Sequence, residues 1–366
     1  MGLIKDIYSL SFYNHLAGVM KKVHSSLSEK DFVEQIMTED FKVMEWKERM
    51  KHTTRVMHRF LPENYVDAVS VLINTIEELK NRGFSGGLEY MIFPDYIETY
   101  GLDNFKSSVE AFESITRFIS CEFAVRPFII RYGNEMVTEM VKWSQHKKPQ
   151  VRRLASEGSR PRLPWAMAIP ALKKDPKPIL PILENLKNDS SEMVRRSVAN
   201  NLNDISKDHP EILLDITKKW KGYSKETDAL VKHAGRTLLK QGHPQILSLY
   251  GLDLEGLKFS AFQIHTPVVH IGDVLEFSFT LENTSNNGKK VRLEYGIYYK
   301  KANGSLSKKV FKISEKTLEK KQQAEVRKKH SFRPITTRKY YSGIHRVAVI
   351  INGVEQGTME FILESR

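Results

Sequence analysis

The sequence predicts two successive architectures within 366 residues: an α-solenoid of paired helices over residues 1–257, then a β-sandwich over residues 258–366. Three observations predict it. Apolar residues recur three and four apart as far as about residue 257. Between residues 151 and 247 a turn–helix–turn–helix unit recurs about every 40 residues. Beyond that the apolar period falls to two, with no helical stretch between the runs. At roughly 150 residues per domain the length suits two or three domains, each able to bury its own core.

The helical elements come first. Tyr65-Val66-Asp67-Ala68-Val69-Ser70-Val71-Leu72-Ile73 and Met136-Val137-Thr138-Glu139-Met140-Val141 carry the helical period. Pro62, Gly83, Gly86-Gly87, Gly101 and Gly133 punctuate this region. Asp175-Pro176-Lys177-Pro178-Ile179-Leu180, Asp208-His209-Pro210-Glu211-Ile212-Leu213 and Gly242-His243-Pro244-Gln245-Ile246-Leu247 then recur at spacings of 33 and 34. Val151-Arg152-Arg153, Val194-Arg195-Arg196 and Val231-Lys232-His233 recur at 43 and 37. Proline-initiated helices alternating with basic-started ones describe HEAT-like repeats. One helix pair cannot bury its apolar stripe, but stacked pairs can, and the stack offers a long concave groove.

The strands follow. Leu275, Phe277, Phe279 and Leu281 alternate with Glu276, Ser278, Thr280 and Glu282. Val291, Leu293, Tyr295, Ile297 and Tyr299 repeat the pattern, as do Ile344 to Ile350 and Met359 to Leu363. Asn352-Gly353 lies between two runs as a hairpin turn. Tyr340-Tyr341-Ser342-Gly343-Ile344-His345 before a strand has the look of a tyrosine corner, which favours an immunoglobulin-like sandwich.

Composition narrows the function. The lone Cys121 excludes a disulfide framework, so a reducing cytoplasm is expected. No apolar run reaches the ~18 residues of a membrane span. The start, Met1-Gly2-Leu3-Ile4-Lys5-Asp6, has no signal-peptide core, and Asp6 in place of Ser or Thr argues against myristoylation at Gly2. Charge is segregated. Residues 1–144 hold 17 basic and 21 acidic side chains, a net of −4; residues 145–240 hold 20 and 11, a net of +9; residues 258–366 hold 20 and 10, a net of +10. Two basic regions after an acidic one suit a polyanion, of which nucleic acid is the commonest in a cell. The alternative is a lysine-rich surface that serves solubility alone. His-Glu-x-x-His, Cys-x-x-Cys, P-loop, Gly-x-Gly-x-x-Gly and Gly-x-Ser-x-Gly patterns are all absent. The scattered histidines, His265 and His270 included, close no metal site, so a protein without metal or cofactor is expected, and a monomer is expected as well.

Three segments hold residues suited to chemistry. On the helix starting near Ser191, Val194, Val198, Asn201, Leu202 and Ile205 share an inward face, while Arg196, Asn200 and Asp204 form a polar stripe with Asn203 beside them. Such a stripe is either a solvated face or the wall of a groove. One repeat earlier, Gly158, Pro161 and Pro164 cut the equivalent helix short. The result is Arg160-Pro161-Arg162-Leu163-Pro164-Trp165, a stiff loop expected to display two guanidinium groups suited to phosphate. Trp165 either anchors that loop in the core or offers an apolar, π-negative face to a sugar or cationic base. Upstream, Glu122 stands in the apolar stretch Ser120-Cys121-Glu122-Phe123-Ala124-Val125-Arg126-Pro127-Phe128. It either pairs with Arg126 at i+4 or faces the groove.

On these residues the sequence resembles the AlkC branch of alkylation-repair DNA glycosylases built on HEAT-like repeats. The most specific part runs from Val151-Arg152-Arg153-Leu154-Ala155 through Ser156-Glu157-Gly158-Ser159-Arg160 to Trp165. Glu122 to Phe128 and Val194 to Asp204 support it, and one AlkC subgroup has a similar immunoglobulin-like C-terminal domain. The resemblance implies excision of cationic N3-methylated bases, 3-methyladenine and 3-methylcytosine, from double-stranded DNA without a base-flipping pocket. It implies Glu122, Trp165 and Asp204 as the catalytic cluster and Arg152, Arg153, Arg160 and Arg162 as backbone contacts. Arg196, Asn200 and Lys207 complete the expected DNA-binding set. A methylated base is already a cationic leaving group, so the charge that needs stabilising develops on the deoxyribose. Two carboxylates and an indole face can do this, and one carboxylate can orient water. No amine nucleophile aligns with these residues in the sequence, so hydrolysis without a lyase step is expected. A non-enzymatic HEAT-repeat scaffold is the rival reading, and a glycoside hydrolase a weaker one for a +13 chain.

Overall fold

The computed structural model describes residues 3–335 and 338–365, so Gly2 lies outside the described residues. They divide into two compact units, 1–234 and 235–366. In the first the helices are α1 Leu10–Val23, α2 Glu29–Ile36, α3 Trp46–Arg59, α4 Tyr65–Asn81, α5 Ile92–Tyr100, α6 Phe105–Ile115 and α7 Val125–Tyr132. They continue as α8 Asn134–Trp143, α9 Pro149–Gly158, α10 Pro170–Lys174, α11 Leu180–Leu186, α12 Glu192–Ile205, α13 Pro210–Trp220 and α14 Lys225–Ala234. Local chemistry sets their starts. The Asn64 side chain accepts from the amides of Val66 and Asp67 to cap α4. Pro149 and Pro210 open α9 and α13, where a missing N–H costs nothing.

The repeats stack as the spacing predicts, with α12 packed between α9 and α14. Val194, Val198, Leu202 and Ile205 are buried there, and Asn201 joins them. Its amide is tolerated because Nδ2 donates to the Ser156 carbonyl at 2.8 Å and to Ser159 Oγ at 3.2 Å.

The second unit begins its strands where the sequence expects them, near residue 257, and holds two short helices ahead of them. The first strand is β1 Leu257–Ile264, and the helices are α15 Arg236–Gln241 and α16 Pro244–Leu249. The third proline-started helix of the repeat is therefore part of the sandwich unit, for a steric reason. Gly242, at φ +71°, packs so tightly on the Asn352-Gly353 turn that a Cβ would lie 2.3 Å from the Gly353 carbonyl oxygen. Asn352 Nδ2 also donates to the Asp253 carbonyl at 2.8 Å. The turn itself is as expected, with positive φ at both Asn352 (48°) and Gly353 (76°), the requirement of a type I′ hairpin.

The remaining strands are β2 Val268–His270, β3 Val274–Asn283, β4 Lys289–Lys300, β5 Leu306–Leu318, β6 Gln323–Ser331, β7 Gly343–Ile351 and β8 Val354–Glu364. They form a three-stranded sheet, β1-β3-β6, and a five-stranded sheet, β2-β8-β7-β4-β5. Phe277, Phe279, Leu293, Tyr295, Ile297, Val347, Val349 and Phe361 bring both sheets into one core. His330 of β6 sits between the Tyr295 and Tyr299 hydroxyls of β4, at 2.9 and 2.8 Å, and burial lowers its pKa to about 4. Strand β4 departs from simple alternation, since Arg292 and Glu294 on its second face are buried as well. Tyr340 packs its ring on Phe332 and Tyr299. Among the described residues its hydroxyl makes no hydrogen bond, so the expected corner is a packing feature.

Candidate active site

The site is built where α9 is cut short. A Cβ on Gly158 would lie 2.6 Å from Val125 Cγ2, so the last residue of α9 has to be small to sit against α7. The loop from Ser159 to Ile169 is then pinned by cations from two other helices. Arg126 of α7, fully buried, donates to the carbonyls of Met167 at 2.5 Å and Gly158 at 3.0 Å. Burial, and then Arg160 nearby, lower its pKa to about 10 against the opposing pull of Asp204, Glu122 and Glu157. Lys47 of α3 donates to the carbonyl of Trp165. At the loop's tip Trp165 holds a left-handed backbone, φ +64°, and its side chain is 66% exposed. A bulky residue there costs about 1–3 kcal/mol and persists only when its surroundings hold it. Trp46, buried on α3, lies 6.4 Å from it, centroid to centroid. Of the two roles open to Trp165, the indole is presented to solvent and does not anchor the loop.

Beneath the loop lies a carboxylate cluster. Asp204 of α12 is 2% exposed; its Oδ2 accepts from Arg160 Nε at 2.8 Å and its Oδ1 from Lys207 Nζ at 2.9 Å. Glu157 of α9 accepts from Arg160 Nη1 at 2.6 Å through Oε1 and from Ser197 Oγ at 2.6 Å through Oε2. Burial works against the Arg160 charge, but Glu157 and Asp204 outweigh it and hold its pKa above the ordinary value. Glu122, in the turn before α7, accepts from Arg153 Nη1 at 2.6 Å and Ser120 Oγ at 2.7 Å. Its expected alternative partner, Arg126, is engaged by the loop carbonyls.

Several expected roles change. Arg160 is not displayed to solvent: it is 7% exposed and bridges two carboxylates. The proline-stiffened loop folds its first arginine inward because a buried Asp204 without a partner would be far costlier. Arg152 is likewise engaged, pairing with Asp189 at 2.5 and 2.9 Å and donating to the carbonyls of His146 and Lys147. Arg162 remains partly exposed, in a bidentate pair with Asp208. The Arg196–Asn200–Asp204 stripe divides, with Arg196 exposed and paired to Glu192 while Asp204 lies under the loop. Lys207 keeps a half-exposed side chain.

Arg153, Glu157, Met193, Arg196, Ser197 and Asn200 line a groove of about 520 Å³. It adjoins, through Glu192 and Arg196, a second groove of about 660 Å³ that reaches Lys225 and His233 on α14. Sequence reading missed Glu157, Trp46 and Lys47. Glu157 carried a usable signal, its i+3 spacing to Arg160; Lys47 lies 118 residues from its partner and had none. Among the described residues no group of three His, Cys, Asp or Glu side chains is assembled that could hold a metal. In the sandwich unit part of the basic charge is neutralised from within. Lys289 pairs with Asp253, Lys308 with Glu355, and Arg327 and Lys329 with Glu276.

Comparison with known proteins gives the family. The family model described as "DNA alkylation repair enzyme" matches residues 87–234, the stretch that contains the cluster. A second, described as "Uncharacterised protein YhaZ, C-terminal Ig-like domain", matches residues 258–365. The YhaZ protein of Bacillus subtilis (strain 168) is 42% identical over 99% of both chains. The alkylpurine DNA glycosylase AlkC of Pseudomonas fluorescens, solved bound to DNA containing an abasic-site analogue, superposes with a TM-score of 0.93. It is 35% identical, over 99% of this chain and all of that one. With such identity across both units, this chain belongs to the AlkC family of DNA alkylation repair enzymes.

Proposed function

We propose that the protein is a monofunctional DNA glycosylase that hydrolyses the N-glycosidic bond of cationic N3-alkylated bases, 3-methyladenine and 3-methylcytosine, in double-stranded DNA. It acts as a cytoplasmic monomer without a cofactor and without drawing the base into a pocket. One observation carries the reading: an exposed indole, held in a strained backbone, stands at the tip of the loop whose Arg160 pairs with the buried carboxylates Glu157 and Asp204, with Glu122 held by Arg153 of the helix before that loop.

The departing base is neutral once it leaves, so little acid assistance is needed. Positive charge grows on the deoxyribose as the bond breaks, and held carboxylates with an indole face can stabilise it. Arg160 fixes Asp204 and Glu157 in place. Lys207 is held on Asp204 only by an i+3 contact and is half exposed, so it can leave Asp204 for a DNA phosphate. That exchange turns a neutralised carboxylate into one facing the sugar when DNA is present. The adjoining space is a groove lined by α9 and α12, which suits a base that stays stacked in the duplex.

A second reading has an observation of its own. Both Asp204 oxygens are occupied and the residue is buried, which suits a purely structural role, leaving the chemistry to Glu122 and Trp165. The experiment for the function itself is base release from methylated duplex DNA by purified protein in the presence of a chelator. The expected result is free 3-methyladenine and 3-methylcytosine with intact abasic strands. Tight DNA binding with no base released would instead favour a scaffold, and strand cleavage would contradict the monofunctional assignment.

A further inference from the structure

The first 86 residues precede the segment matched as a DNA alkylation repair enzyme, and acids outnumber bases in the region to which they belong. Within them α3 carries a feature that its surroundings do not explain. Lys47, Lys51, Arg55 and Arg59 follow one another at i+4 and all four are exposed. At ~1.5 Å per residue the cations rise by about 6 Å each, making a ridge about 18 Å long, close to five base pairs of duplex. Each neighbouring pair is a like-charge i,i+4 contact, which opposes the helix.

Among the described residues none of the four has a carboxylate within ion-pair distance, although other exposed cations of this unit do. Lys80 pairs with Glu77, Arg82 with Glu78, Arg117 with Glu113 and Lys142 with Glu139. The acids nearest the ridge are Asp40 and Glu48, which share a groove with Lys51 and Arg55, and Asp95 and Glu98 of α5, which feel the charges of Lys47, Lys51 and Arg55 through space; none of them forms an ion pair with it. The ridge begins at the candidate site, since Lys47 is the residue that holds the Trp165 carbonyl.

We propose that Lys51, Arg55 and Arg59 continue the DNA-binding surface onto α3, as a track for one strand's phosphates leading away from the Trp165 loop. The proposal rests on the DNA-repair reading above. Its partner is the substrate duplex, because an unpaired cationic row continuous with the reaction site complements a phosphate backbone.

The test is the salt dependence of binding to undamaged duplex, for the full chain and for two triple variants. Each phosphate contact contributes about 0.9 to the slope of log K against log salt concentration. The Lys51→Gln/Arg55→Gln/Arg59→Gln protein is expected to lose about 2–3 from that slope. The Lys80→Gln/Arg117→Gln/Lys142→Gln protein, which removes the same charge elsewhere, is expected to retain it. Single substitutions in the ridge, each losing about 0.9, keep the test independent of any folding defect in the triple variant. An unchanged slope in the ridge variants, with the unsubstituted protein still binding and releasing base, overturns the α3 track alone. Failure of the unsubstituted protein to bind duplex overturns both the track and the functional reading.

Discussion

Both units bury an arginine against carboxylates, and the two clusters differ in how completely they are satisfied and in what lies over them. Arg160 meets Asp204 and Glu157, and all four carboxylate oxygens have a donor. Arg292 meets Glu294 at 2.7 Å on β4, yet Arg292 Nε and Glu294 Oε2 have no partner. The first cluster lies under a strained loop with an exposed tryptophan. The second lies in a sheet whose strand is buried on both faces. Burial of charge is therefore not in itself a mark of function. What distinguishes the Arg160 cluster is complete satisfaction in which one Asp204 oxygen is held only by the half-exposed Lys207, so that a single exchange frees it while Arg160 keeps the rest fixed.

Substitutions sharpen that contrast. Arg160→Met leaves the buried Glu157 without a cation and Asp204 with Lys207 alone, so the unfolding free energy should fall by about 3–5 kcal/mol, measured by denaturant titration. An unchanged midpoint would mean the cluster is not held by Arg160. Glu122→Gln and Trp165→Ala should slow base release on the order of 100-fold while leaving duplex affinity within a few fold, because their partner is charge in the transition state. Equal losses in binding and release would place both residues in recognition instead. The sandwich pair should behave in the opposite sense. Arg292→Met with Glu294→Leu should be neutral or stabilising by about 1–4 kcal/mol, with release unaffected. Marked destabilisation would show that its incomplete hydrogen bonding is compensated by a route other than the pair itself.

The smallest effect concerns α5. Burial, followed by Asp95, pushes the Glu98 carboxyl up from its ordinary 4.5 to about 7. The folded chain thus binds this proton more tightly than the unfolded chain. The stability this gives is full below pH 4.5 and is lost as the pH rises through 7. Glu98→Gln should accordingly stabilise the protein at pH 8, by about 1–2 kcal/mol, and make little difference at pH 4. An equal effect at both pH values would remove the titration of Glu98 as its cause.

Much of this was legible in the sequence because periodicity reports local burial. The β3 alternation, the stacked α9 and α12, and the end of α9 at Gly158 all follow from spacing. The attachment of α15 and α16 to the sheet-bearing unit was not legible, since it depends on Gly242 meeting Gly353 across more than a hundred residues. For the same reason Arg160 read as a displayed cation. Its sequence neighbours are prolines and a tryptophan, and only the fold brings Asp204 within 2.8 Å of it. Glu122 followed the same pattern, with a non-local Arg153 in place of the local Arg126. Long-range ion pairing decided the details of the site, and it leaves no period to read.

The claim that these carboxylates act on the sugar rests most heavily on Asp204. The direct measurement is single-turnover release of 3-methyladenine from a defined duplex by Asp204→Asn, with binding of the same duplex measured alongside and the melting temperature as a control for folding. The substitution keeps the shape and removes the charge. The account predicts release slowed on the order of 100-fold or more at unchanged affinity. Release at the unsubstituted rate by a folded Asp204→Asn protein would contradict it and leave Asp204 as a structural partner of Arg160.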